Sequence, residues 1–210
     1  MRFRFFPSFL LFFLAAALYS PQLRAELEAP VLKAKLGMSM LTVNAGELVQ
    51  NEPLGSMITI QPSVLWNISS LNSRIGFHFL ADMSSNYGAT PISGIGVSGY
   101  YYLRGLTSAY EVADGDVLTQ KSKPGIFTFA SFTPVNFNLN KIDKEVQSNS
   151  FAPSSTVYEL MIGFGYEYPI KPNMLISAEL AKRDGTLSAL SKELSYSGYM
   201  FSLAFVTSYY

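Results

Sequence analysis

From Tyr158 to Tyr168 every second residue is large and apolar: Tyr158, Leu160, Ile162, Phe164, Tyr166 and Tyr168. The residues between them are Glu159, Met161, Gly163, Gly165 and Glu167, mostly small or acidic. Successive side chains of a strand point to opposite faces, so this pattern predicts a strand with one greasy face and one polar or small face. Ile75, Phe77, Phe79, Ala81 and Met83 stand in the same way against Arg74, Gly76, His78, Leu80 and Asp82. Near the end of the chain, Phe201, Leu203, Phe205 and Tyr209 alternate with Ser202, Ala204 and Ser208. No later stretch sustains a helical 3.6-residue stripe. Eight strands are predicted, over 31–43, 56–68, 73–84, 94–105, 125–139, 156–169, 173–184 and 195–210.

The connections 44–55, 69–72, 85–93, 140–155, 170–172 and 185–194 alternate long and short. That rhythm fits a membrane barrel with long outer loops and short periplasmic turns. The 106–124 connection is long where the rhythm asks for a short one, and Tyr110–Thr119 reads as a hairpin around Asp114-Gly115. If odd strands run outward, the even ones end at the periplasmic interface. There Trp66, Tyr101 with Tyr102, Tyr166, Tyr168, Tyr209 and Tyr210 would form an aromatic girdle, because amphipathic rings favour the headgroup level. Pro62 falls on an apolar strand face, where a missing N–H predicts a bulge.

The one continuous apolar run is at the start. Arg2 and Arg4 precede the Phe5–Leu18 stretch, and Ala25 precedes the acidic Glu26. The run is shorter than the ~20 residues of a spanning helix, so residues 1–25 read as a cleaved signal peptide and 26–210 as the barrel. Half of the chain is hydrophobic (49%) but only 14% is charged, which excludes a disordered chain. Lysine plus arginine equal aspartate plus glutamate at 15 each, leaving no basic field for nucleic acid. Loss of Arg2, Arg4 and Arg24 on cleavage makes the mature charge negative. Without cysteine and with one histidine, thiol chemistry and Cys- or multi-His metal sites are excluded.

Gly163-Phe-Gly-Tyr-Glu-Tyr-Pro-Ile-Lys-Pro-Asn-Met-Leu-Ile-Ser-Ala-Glu179 resembles the strand, tight periplasmic turn and strand of the small eight-stranded outer-membrane barrels typified by OmpX and the transmembrane domain of OmpA. The terminal Tyr210 resembles the aromatic residue with which these proteins end. The resemblance implies an all-β, closed, antiparallel up-and-down barrel in the outer membrane of a Gram-negative bacterium. It also implies a structural or surface-interaction role: envelope integrity, adhesion or shielding. The implied partners are outer-membrane lipid and lipopolysaccharide, the barrel-assembly machinery through the last strand, and an unidentified ligand of the surface loops.

Gly94-Ile-Gly-Val-Ser-Gly99 matches a dinucleotide-binding pattern, but Tyr100, Tyr101 and Tyr102 follow it as strand, where that site needs a helix. Small residues that let side chains pack in a narrow lumen are the plainer reading. His78 and Asp82 share a strand face about 13 Å apart at ~3.3 Å per residue, too far for a catalytic pair. Lys33, Lys35, Arg74, His78, Asp82, Arg104, Glu159, Glu167, Glu179 and Arg183 all fall on predicted polar faces. Buried charges of both signs are expected to pair, because an unpaired one is strongly destabilising. Of these, Arg74, His78, Asp82, Arg104, Glu159, Glu179 and Arg183 are the candidate lumen network. Asn136, Asn138 and Asn140 are expected at a polar lumen mouth. No catalytic residue, cofactor or metal is expected. Three alternatives remain: a narrow ion or small-solute channel, a lipid-A-modifying enzyme with His78 as base, and a soluble lipocalin-like barrel with the faces inverted.

Overall fold

A computed structural model describes residues 27–45, 49–84, 92–113, 117–137, 155–189 and 192–208. The signal-peptide reading, Asp114-Gly115, Asn138, Asn140, the 141–154 loop and the terminal Tyr209 and Tyr210 lie outside the described residues. Ten strands are formed: β1 (Leu27–Ala45), β2 (Val49–Ile68), β3 (Ser73–Ser84), β4 (Ile92–Tyr102), β5 (Ser108–Ala113), β6 (Val117–Ser122), β7 (Gly125–Phe137), β8 (Ser155–Lys171), β9 (Met174–Ala189) and β10 (Lys192–Ser208).

Eight of them close into one barrel in the order β1-β10-β9-β8-β7-β4-β3-β2, every neighbouring pair antiparallel. All eight predicted strands are present. The chain ends meet along the β1–β10 seam, paired from Val31↔Ser208 to Ala45↔Leu194. Closure gives every wall strand a paired neighbour on both sides. β5 and β6 form a separate two-stranded ribbon within the 106–124 connection, from Ser108↔Ser122 to Ala113↔Val117.

The period of two decides which way each side chain points. Leu36, Ile95, Phe164, Phe201 and Leu203 are more than half exposed on the outer wall, and Lys33, Arg74, Asp82, Glu159 and Arg183 are buried inside. A lipocalin-like barrel would show the opposite arrangement, so that alternative is excluded.

The structure corrects several expectations. Segments 44–55 and 185–194 are largely strand: β1–β2 pairing continues to Ala45↔Val49 and β9–β10 pairing to Ala189↔Lys192. Pro62 creates no bulge. It sits opposite Ala34 in β1, and the register with β3 is the same on both sides of it, at Ile60↔Ala81 and Ser63↔His78. The missing N–H removes rungs without shifting the strands. Asn136 is exposed on the outer face, because β7 turns Phe127, Phe129, Ser131, Thr133, Val135 and Phe137 inward.

Candidate functional site

The lumen gathers four buried cations, Lys33, Lys35, Arg74 and Arg183, and four buried anions, Asp82, Glu159, Glu167 and Glu179. They form two groups. In the first, Arg74 Nη1 lies 3.0 Å from Glu167 Oε2. Lys33 Nζ lies 3.7 Å from Glu167 Oε1 and 2.5 Å from Glu179 Oε1, and Lys35 Nζ 2.7 Å from Glu179 Oε2. Signs alternate along this chain, so each cation except Lys33 faces one carboxylate and each carboxylate faces two cations.

In the second group Arg183 lies between two carboxylates. Its Nη2 donates to Asp82 Oδ2 at 2.7 Å and Glu159 Oε2 at 2.6 Å, its Nη1 to Asp82 Oδ1 at 3.0 Å and Ser39 Oγ at 2.7 Å. Tyr196 donates to Glu159 Oε2 at 2.5 Å and Thr59 to Asp82 Oδ1 at 2.6 Å. Arginine suits this position because its planar fork presents five donors, where lysine presents three. Three cations meet two anions in the first group and one meets two in the second, so the groups carry +1 and −1 and sum to zero among the described residues.

The 106–124 connection completes the first group from below. Thr107 and Ser108 are buried at the root of β5, and Arg74 Nη2 donates to their hydroxyls at 3.1 and 2.8 Å. Thr107 also bonds Glu167 directly, Tyr102 donates to Glu167 Oε1 at 3.0 Å, and Asn67 Oδ1 accepts from Arg74 Nε at 2.8 Å. The lysines rest on rings. Lys33 Nζ is 4.3 Å from the Tyr100 centroid and 4.7 Å from that of Phe127, and Lys35 Nζ 4.6 Å from that of Phe129.

His78 stands apart from these charges. Its Nδ1 is 2.7 Å from Ser98 Oγ and its Nε2 2.8 Å from Thr133 Oγ1. Both nitrogens are occupied by hydroxyls, no carboxylate among the described residues orients the ring, and His78 and Ser98 are buried. A serine–histidine pair without an orienting acid or an open face lacks the parts of a nucleophilic site. Gly96 explains how the ring fits: a Cβ there would stand 2.8 Å from His78 Cε1 and 2.3 Å from the Phe132 carbonyl oxygen. Gly94, Gly96 and Gly99 all lie within β4, with Tyr100 to Tyr102 in the same strand, so the helix of a dinucleotide site is not formed.

Arg104 does not join the network. β4 ends at Tyr102, the chain turns through Gly105 at φ 82°, and Arg104 is exposed in that turn. Of the expected girdle residues, Tyr101, Tyr166 and Tyr168 are about half exposed on the outer wall, and Trp66 is partly exposed with its ring 6.3 Å from that of Phe77. Tyr102 points inward instead. Residues missed from sequence were Tyr100, Tyr102, Tyr196, Thr59, Ser39, Thr107 and Ser108. The two β4 tyrosines share the phase of Gly96 and Ser98, which marks them as lumen residues. Thr107 and Ser108 gave no signal, because the strand period has ended before them.

The comparison that decides the architecture is with the crystal structure of Neisserial surface protein A. It covers 87% of this chain and 99% of that one at 14% identity, with a TM-score of 0.53. The fold is that of a small outer-membrane barrel. Two other such barrels are similar with lower scores. The N-terminal barrel domain of Pseudomonas aeruginosa OprF matches at 9% identity over 82% of this chain and 96% of that one, TM-score 0.44. The attachment invasion locus protein Ail of Yersinia pestis matches at 9% over 85% and 99%, TM-score 0.38. No protein-family model matches the sequence, and no curated protein sequence matches it.

Proposed function

We propose that the chain is an exported, non-enzymatic barrel of a Gram-negative outer membrane, with a closed lumen and a structural or surface-interaction role. The observation that carries this reading is the inversion of a soluble core: buried charges paired inside, an apolar wall outside. On β8 the exposed side runs through Tyr158, Leu160, Ile162, Phe164, Tyr166, Tyr168 and Ile170. At ~3.3 Å per residue and a tilt of ~40° that wall is roughly 30 Å tall, the thickness of a bilayer core. Arg183, fixed between Asp82 and Glu159, and the aromatic floor under Lys33 and Lys35 support closure. At the opposite end from the β5–β6 ribbon, the Val49–Ser56 part of β2 has no rung to β3 among the described residues. It pairs with β1 alone there and offers a raised surface for a partner.

Planar-bilayer recording of refolded protein tests closure. Silent membranes are expected, and steady single-channel openings would favour the narrow ion pathway. That second reading has one observation behind it: buried Gln61, Ser63, Ser131 and Ser202 have side-chain polar atoms without a protein partner. Membrane insertion is read separately, from a different gel migration of unheated and boiled protein.

A further inference from the structure

The two ends of the barrel differ in how they carry surface charge. At the long-loop end Lys182 Nζ lies 2.9 Å from Asp184 Oδ2, and Asp184 Oδ1 accepts from Ser197 Oγ at 2.7 Å. At the short-turn end three exposed cations, Arg104, Lys123 and Lys171, have no carboxylate within ion-pair distance among the described residues. They are drawn together by the turns. Lys123 Nζ donates to the Arg104 carbonyl at 2.9 Å, and it sits over Gly105, where a Cβ would be 3.2 Å away. Ser122 Oγ bonds the Pro172 carbonyl, which places Lys123 beside the β8–β9 turn that carries Lys171.

A second feature lies beside this rim on the outer wall. A groove of about 420 Å³ crosses β8, β9, β10 and β1. Its floor is low because Ala34 and Ala178 stand among Tyr166, Tyr168, Leu203 and Phe205. Tyr168 and Lys171 are on the same strand, about 10 Å apart at ~3.3 Å per residue. An apolar groove that leads to unneutralised cations at the level of interfacial tyrosines has the chemistry of an amphiphile with an anionic head.

We propose that this surface is a binding site for one anionic phospholipid of the leaflet facing the short turns. Its phosphate is held by Arg104, Lys123 and Lys171, and an acyl chain lies in the groove over Ala34 and Ala178. The inference rests on the membrane reading given above. The charge complementarity is one-sided: Glu167, on the same strand as Lys171, is buried and already engaged by Arg74 and Lys33.

The test is native mass spectrometry of the full chain released from micelles holding equimolar phosphatidylglycerol and phosphatidylcholine. The wild type is expected to retain phosphatidylglycerol roughly a hundredfold over phosphatidylcholine, from the summed attraction of the three interfacial cations. The R104Q/K123Q/K171Q variant should retain both equally. Ala178→Leu fills the groove and should lower retention of both lipids with the cations intact. Equal retention by the wild type, or a preference that survives the triple substitution, overturns the proposal. So does equal retention of inorganic phosphate, which would show an anion site without lipid. Gel migration after insertion into phosphatidylcholine vesicles separates the two readings. A heat-dependent shift without phosphatidylglycerol preference removes this inference alone, and no shift removes the membrane reading with it.

Discussion

Arg183→Met puts the closed-lumen reading to its hardest test. Arg183 is buried and serves both Asp82 and Glu159, whose side chains are inaccessible to solvent. Its loss takes the second lumen group from −1 to −2 and leaves two carboxylates without a cation. Breaking a buried pair by removing one partner is destabilising by about 3–5 kcal/mol. The lower end is expected, since Thr59 still donates to Asp82 and Tyr196 to Glu159. Arg183→Lys should fall between, because an ammonium keeps the charge but not the five-donor fork. Arg183→Met combined with Asp82→Asn and Glu159→Gln carries no buried charge at this level and should return to within about 1 kcal/mol of the wild type. The assay is urea unfolding of the vesicle-inserted barrel, followed by gel migration and by the fluorescence of Trp66. The reasoning is refuted if Arg183→Met lies within about 1 kcal/mol of the wild type, or if the neutral triple variant is as unstable as the single one.

Three further outcomes are expected from the same assay. Thr107→Val removes a hydroxyl that accepts from Arg74 and donates to Glu167, and should cost about 1–2 kcal/mol; replacement of residues 109–121 by a short glycine linker should cost less, because the root is kept. Gly96→Ala drives a methyl group against the Phe132 carbonyl and the His78 ring and should cost about 1–3 kcal/mol, with unchanged stability arguing against the packing at that wall. Leu203→Arg, on the exposed wall of β10, should cost about 2–4 kcal/mol in a bilayer, whereas Thr186→Arg near the loop end should stay within ~1 kcal/mol; equal effects would argue against a lipid-facing band.

The wall was legible in the sequence wherever its two faces differ in chemistry. β3, β8 and β10 set aromatic and aliphatic residues against charges, serines and glycines, so both the strand and its inward face could be read. β7 blurred the contrast. Its inward face carries Phe127 and Phe129 and its outward face Thr128 and Ala130, because this part of the lumen is filled by rings under two lysines. Asn136 was therefore turned the wrong way. The membership of the lumen network was largely within reach, since facing follows from phase. Its pairing was not: Arg183 bonds Ser39 across the closure and Asp82 across the lumen, at sequence separations that no local pattern encodes. Arg104 shows the other limit, since the alternation was extended past Tyr102 into a turn that Gly105 begins to reverse.

The pairing across the β1–β10 seam has a consequence for how the chain assembles. Lys33 and Lys35 of β1 meet Glu179 of β9, and Arg183 of β9 meets Ser39 of β1, so these contacts exist only when the first and last strands are joined. An open sheet could complete its greasy face and most of its ladder, yet it would hold Lys33 and Lys35 apart from Glu179. Closure is thus where electrostatic reward and sheet completion coincide. A half-zipped barrel lacks both, so the lumen charges of β1 and β9 find their partners only with the last pairing of the wall.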